Sequence, residues 1–247
     1  NTGGLVGNAR YNSVIENSYT NATVAGEFPT GGIVGVAGHF NDFGNITGCF
    51  VMGHTTTVEM TNSFVGGIVG SLWNSTLSNS YNVGPVTGQY AGGLAARSNN
   101  GTIINSFAAG FISGPTNDYL AGLVAQTIGT SPVINSYWNI ETTGQSTTSG
   151  GGTGLVTTEM VQQASFIDWD FNAIWQIIEG ESYPFHQWQG IAQDHNYPPP
   201  LPPAELTALI EPGIESISLE WNAPSIGTPL SYNIYRGDGD DFVVIAN

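Results

Sequence analysis

The chain has 247 residues, of which only 9% are charged: three arginines and no lysine stand against 19 acids, for a net charge of −16. A field of that sign repels phosphate backbones and anionic headgroups, which disfavours nucleic-acid and membrane-surface binding. A hydrophobic fraction of 40% suffices for a packed core, and no stretch of 18 apolar residues is present to span a bilayer.

From the first residues onward one phrase recurs five times, and repetition at a period of about 30 residues predicts a solenoid. A glycine–hydrophobic segment appears as Gly3-Gly4-Leu5-Val6-Gly7, Gly31-Gly32-Ile33-Val34-Gly35, Gly66-Gly67-Ile68-Val69-Gly70, Gly92-Gly93-Leu94-Ala95-Ala96 and Ala121-Gly122-Leu123-Val124-Ala125. Each is followed by a small–aromatic corner: Asn17-Ser18-Tyr19, Gly48-Cys49-Phe50, Asn79-Ser80-Tyr81, Asn105-Ser106-Phe107 and Asn135-Ser136-Tyr137. The intervening segments are short, rich in Val, Ile and Thr, and bounded by Gly, Asn and Ser, so they read as strands.

Superposition gives columns of like residues. One is Leu5, Ile33, Ile68, Leu94 and Leu123; a second is Val6, Val34, Val69, Ala95 and Val124; a third is Ile15, Ile46, Leu77, Ile103 and Val133. An aromatic column holds Tyr19, Phe50, Tyr81, Phe107 and Tyr137, and one more strand per unit is suggested at 23–26, 85–88 and 111–114. Like residues recurring once per turn suit a right-handed parallel β-helix, in which coils hydrogen-bond about 4.8 Å apart. Asn at the corners accepts left-handed backbone. Cys49 falls in a slot otherwise filled by serine and reads as a small buried thiol. The longest gaps, His39 to Asn45 and His54 to Asn62, lie in the second repeat and are the first place to look for a ligand-facing loop.

These phrases resemble the GLUG motif, here Gly4-Leu5-Val6-Gly7 and its successors, across residues 1–145. The resemblance implies a bacterial surface protein of adhesin type, or an accessory region beside the catalytic domain of a secreted peptidase. Repeats four and five depart from the motif at Ala96 and Ala125.

Residues 141–154 are Gly, Ser and Thr-rich and read as a flexible connector, after which Thr158 to Ala164 reads as a short helix capped by Thr158. The region 146–192 is dense in aromatic residues: Phe166, Trp169, Phe171, Trp175, Tyr183, Phe185 and Trp188. An open solenoid end exposes apolar core, so the segment is expected to close the C-terminal end; a sugar-binding platform is the other reading. Residues 193–203 contain the run Tyr197-Pro198-Pro199-Pro200-Leu201-Pro202-Pro203, a stiff linker. Residues 204–247 offer strands at 204–208, 216–221, 230–236 and 242–246, and the Trp221…Tyr232-Asn233-Ile234-Tyr235-Arg236 pattern resembles the first half of a fibronectin type III sandwich. Half a sandwich requires completion, either by further residues of the same polypeptide or by strands from another molecule.

No catalytic, cofactor or metal site is assigned. His39, His54, His186 and His195 show no metal-ligand spacing, and the acids within the repeats are scattered. Asp238-Gly239-Asp240-Asp241 could hold Ca²⁺ but reads better as a hairpin turn. Residue 1 stands just before a Gly-Gly pair, so the sequence reads as a piece of a longer polypeptide. The expectation is an all-β, non-catalytic, extracellular bacterial protein: the shaft of an adhesin, or a filament subunit joined to its own copies by strand addition. Its partners would be those copies, surface glycans or a host protein; the alternative is an accessory or carbohydrate-binding region of a large secreted enzyme.

Overall fold

The computed structural model describes residues 1–189 except 60, 117 and 118, together with four strands, Ala204–Ile210, Ile217–Asn222, Ile234–Asp238 and Asp241–Ala246. Residues 1–155 form a parallel β-solenoid of about five coils. One sheet stacks Thr2–Gly3, Thr30–Gly31, Phe64–Gly66, Tyr90–Gly92 and Leu120–Ala121, and the next stacks Val6–Ala9, Val34–Ala37, Val69–Trp73, Ala95–Asn99 and Val124–Ile128. Two further sheets flank the Asn corner and merge in the last coil, where Val133–Asn139 runs as a single strand through it. A four-stranded sheet of Val24–Gly26, Thr55–Thr57, Val86–Thr87 and Ile112–Ser113 completes the circuit.

The columns predicted from the sequence are true register partners. Ile15 pairs Ile46, which pairs Leu77, then Ile103, then Val133. Val6, Val34, Val69, Ala95 and Val124 align the same way. Ile33, Ile68, Leu94 and Leu123 are fully buried and link coil to coil through their backbone. Burying each such side chain contributes about 1.5–3 kcal/mol, so the interior of the tube supplies most of the driving force.

Two local devices make the corners. Asn17, Asn79, Asn105 and Asn135 have φ of +46°, +46°, +49° and +44°, with Gly48 at +62° in the second coil. Only Gly and, at modest cost, Asn enter that left-handed region routinely. The following serine then ties coils together. Ser106 Oγ donates to the Ile104 carbonyl at 2.9 Å and accepts the Ser80 amide at 3.1 Å, and Ser80 Oγ in turn accepts the Cys49 amide at 3.1 Å. Elsewhere, the second glycine of each pair is required by close approach: a Cβ at Gly67 would sit 2.1 Å from the Gly93 carbonyl oxygen.

The C-terminal end of the tube departs from expectation. The Gly/Ser/Thr-rich stretch is ordered structure rather than a flexible connector. A one-turn helix, Ile140–Thr143, is capped by Asn139, whose Oδ1 accepts the Glu141 and Thr142 amides. Thr147, Ser149 and Gly150 then continue the backbone hydrogen bonding of the fifth coil, and Gly151–Leu155 pairs in parallel with Val133–Asn139. Trp138 plugs the end of the core in the column held above by Asn82 and Ala108, with its Nε1 donating to the Gln145 carbonyl at 2.8 Å. Because Gly tolerates the φ of +85°, +114° and +101° at residues 150–152, a low-complexity sequence can follow the coil where bulkier residues could not.

The helix after it spans Thr157–Met160, followed by a 3₁₀ turn at Gln163–Ser165. Thr158 does not cap it; Val156 occupies the N-cap and Glu159 reaches back to accept the Val156 amide at 3.1 Å. Among the C-terminal strands, Ala204–Ile210 pairs antiparallel with Ile217–Asn222, and Ile234–Asp238 with Asp241–Ala246. The expected strand residues Ser216 and 230–233, the proline run 197–203 and His195 lie outside the described residues.

Candidate functional site

Two aromatic surfaces run along the tube, and they have different fates. The first is the predicted column. Tyr19, Phe50, Tyr81 and Phe107 stack face to face with centroids 5.0, 4.9 and 5.0 Å apart and planes within 6° of parallel. Residues 166–189 lie across this ladder as a strap. Phe166 and Trp169 contact Tyr137; Trp169, Trp175 and Tyr183 contact Phe107; Trp175 and His186 contact Tyr81; His186 and Trp188 contact Phe50. The aromatic segment therefore covers the flank of the solenoid, not its end. The reason is geometric: the ladder presents an apolar stripe several coils long, whereas the end is already closed by Trp138 and 145–155. Phe166, Trp169, Trp175, Tyr183 and Phe185 are buried in this contact, which removes them as a sugar platform.

The strap is also polar where it meets the corners. The left-handed Asn residues leave carbonyls for it: Trp169 Nε1 donates to the Asn135 carbonyl at 2.7 Å, and His186 Nε2 lies 2.7 Å from that of Asn79. A carbonyl only accepts, so His186 carries its proton on Nε2. Its Nδ1 is buried without a partner, and the ring stacks against Trp175 and Trp188. Burial pulls the imidazole down to about 4. Tyr183, pushed up to about 12 by burial, accepts a hydrogen bond from Asn139 Nδ2.

The second aromatic surface carries no such strap among the described residues. Phe28, Phe64, Tyr90 and Tyr119 form an outer line, one ring per coil, with successive centroids 5.2, 4.4 and 4.3 Å apart. Arg97 lies over Phe64 at 4.9 Å and over Trp73 at 5.4 Å, which joins this line to Trp73 on the adjoining sheet and, through Trp73, to Phe40 and His39 in the loop after Val34–Ala37. The result is a continuous stripe of rings interrupted by one guanidinium. Phe40 is 67% exposed, and Phe28 and Tyr119 are exposed as well. Sequence reading missed this line, although a signal was present: Phe64, Tyr90 and Tyr119 each stand three residues before the second glycine of their repeat.

The loop singled out in the second repeat contributes to the stripe. His39 and Asp42 form a bridge that turns the loop, Arg10 Nε pairs with Asp42 Oδ2 at 3.2 Å, and Asn74 Nδ2 donates to the His39 carbonyl at 2.8 Å. His54 belongs elsewhere, half-buried, with Nε2 2.9 Å from Thr87 Oγ1, and burial lowers its pKa. Cys49 is fully buried, with its thiol pushed up to about 11 by desolvation, and it donates to the Thr47 carbonyl. No group of three His, Cys, Asp or Glu side chains among the described residues lies close enough to hold a metal ion. Asp238 and Asp241 are backbone register partners at the ends of two antiparallel strands, with Gly239 and Asp240 outside the described residues.

No helix among the described residues is long and apolar enough to cross a membrane. No family model matches the chain. Over 151 residues it is 34% identical to a protein of Evansella cellulosilytica carried under the name "Putative Gly-rich membrane protein"; the match takes in 59% of this chain and 14% of that protein. The similarity therefore concerns one segment of a much longer polypeptide.

Proposed function

We propose that this chain is a non-catalytic shaft segment of a large extracellular bacterial surface protein. The observation that carries the reading is the columnar register. Side-chain chemistry repeats along an axis, coil upon coil, instead of converging in a cleft, which suits reach and display. Three cations against 19 acids, with polarity supplied by Asn, Ser and Thr, also suit a protein that stays soluble outside the cell. The similarity to a short part of a much longer protein named for its glycines and its membrane is consistent with a module in a surface array.

The finer assignments rest on the same proposal. The tube is taken as right-handed, as parallel crossovers are, and the repeats as GLUG-type. The four C-terminal strands, paired first with second and third with fourth, are taken as the opening half of a fibronectin type III-like sandwich. Completion of that sandwich by another copy would make the protein a filament subunit.

Antibodies raised against residues 1–189 test the reading on intact source cells. Labelling of unbroken cells that is removed by external protease is the expected result. Labelling that appears only after lysis would sink it.

A further inference from the structure

Arg97 is the odd residue of the outer stripe. In a chain of 19 acids it has no ion-pair partner among the described residues. Its one side-chain hydrogen bond among the described residues, from Nη2 to Ser71 Oγ, is long at 3.4 Å, and its buried Nε has no acceptor there. Guanidinium offers five donors in a planar fork that matches a carboxylate, and a partly desolvated cation gains most from such a partner. The rings on which it lies, Phe64 and Trp73, orient the fork without neutralising it.

Around that cation the surface is aromatic and amide-bearing. Gln126 is the register partner of Arg97 on one side, Asn99 that of Trp73. From Phe28 to Tyr119 the outer line crosses three coil spacings, about 14 Å. We propose that the stripe binds an extended polysaccharide of neutral pyranoses bearing sparse uronate groups, with Arg97 holding one carboxylate and the flanking rings and amides contacting the sugars.

Four observations select this occupant. Exposed rings match the apolar faces of pyranoses, and amides match their hydroxyls. One unpaired Arg calls for one carboxylate. The net charge of −16 disfavours a densely anionic polymer such as a sulfated glycan or nucleic acid. The strands beneath the stripe are hydrogen-bonded on both sides in the inner coils, so they offer no free edge to a peptide strand. An elongated line of rings also fits a chain better than one terminal sugar. This goes beyond the shaft proposal, which stands whether or not the stripe binds anything.

Calorimetry with the full 247-residue chain tests it, using xylotetraose with one glucuronate side group as probe and unsubstituted xylotetraose as its neutral counterpart. The acidic probe should bind at least tenfold more tightly than the neutral one. Arg97→Gln should abolish that preference and weaken binding by about 10- to 100-fold, the range of a lost charge-assisted hydrogen bond. Arg97→Lys, which keeps charge but not the fork, should weaken it as well. Phe40→Ala alters an exposed ring outside the core and should reduce affinity for both probes with an unchanged far-ultraviolet circular dichroism spectrum. Equal binding of the two probes, no binding, or stronger binding of sialyllactose or of an acidic peptide would overturn the proposal.

Discussion

Ser106 serves two coils at once, since its hydroxyl donates to the Ile104 carbonyl and accepts the Ser80 amide. Removing it leaves the buried Ser80 amide without a partner, while the Ile104 carbonyl keeps the Asn79 amide, so Ser106→Ala should cost about 1–3 kcal/mol in urea unfolding. In the same column Cys49 satisfies its own corner only with a weak sulfur donor, 3.3 Å from the Thr47 carbonyl. Cys49→Ser should therefore be neutral or stabilise by up to about 1 kcal/mol in the same assay, and a large loss would contradict the role given to this slot. The glycines are less forgiving. At Gly67 a methyl group would meet the Gly93 carbonyl oxygen at 2.1 Å, which is backbone that cannot move without parting the coils. Gly67→Ala should cost about 3 kcal/mol or more, read as a lowered midpoint or loss of the folded state.

Among the elements, the strap holds the more deeply shifted of the two histidines whose pKa burial lowers. His186 is neutral in the fold, with an unpartnered Nδ1 buried among Trp175, Trp188, Tyr81 and Phe50. The unfolded imidazole takes its proton near pH 6.5 and the folded one near pH 4. Between those values the unfolded state binds more protons, so stability is full above pH 6.5 and falls as the pH drops toward 4. The loss is on the order of 3 kcal/mol. His186→Phe should flatten this part of the pH–stability curve, followed by tryptophan fluorescence; an unchanged slope would mean that another group titrates there. The strap also marks where sequence reading stopped. Its aromatic density was legible and so was its need for an apolar partner. Its target was not, because a column visible as Tyr19, Phe50, Tyr81, Phe107 and Tyr137 does not declare which way its rings face. Likewise the Gly/Ser/Thr composition of 141–154 hid a final course of the tube, since the coil demands positive φ at 150–152 and not hydrophobicity.

At the scale of the whole molecule, register is what the sequence encodes most openly. Side chains of one column must pack on one another about 4.8 Å apart, so like must follow like, and alignment of the repeats is already alignment of the coils. Ile15, Ile46, Leu77, Ile103 and Val133 could be placed in order before any coordinate was known. The outer stripe was harder to see because Phe28 stands four residues before the second glycine of its phrase where Phe64, Tyr90 and Tyr119 stand three, so the first ring breaks the alignment. Arg97 reaches them from another sheet, a contact with no sequence periodicity at all. The columns thus identify a solenoid, while the proposed ligand-facing chemistry depends on one side chain crossing between columns.

The central claim is the in-register parallel stack, and pulsed electron paramagnetic resonance tests it most directly. Glu16, Thr47, Ser78, Ile104 and Ile134 form one line of register partners along the tube, in that order. In a Cys49→Ser background, spin labels at Glu16 paired in turn with Ser78, Ile104 and Ile134 should give backbone separations of about 10, 14 and 19 Å, rising by one coil spacing each time. Distances that fail to rise in equal steps, or broad distributions beyond about 30 Å of the kind expected of an unfolded chain, would contradict the stack.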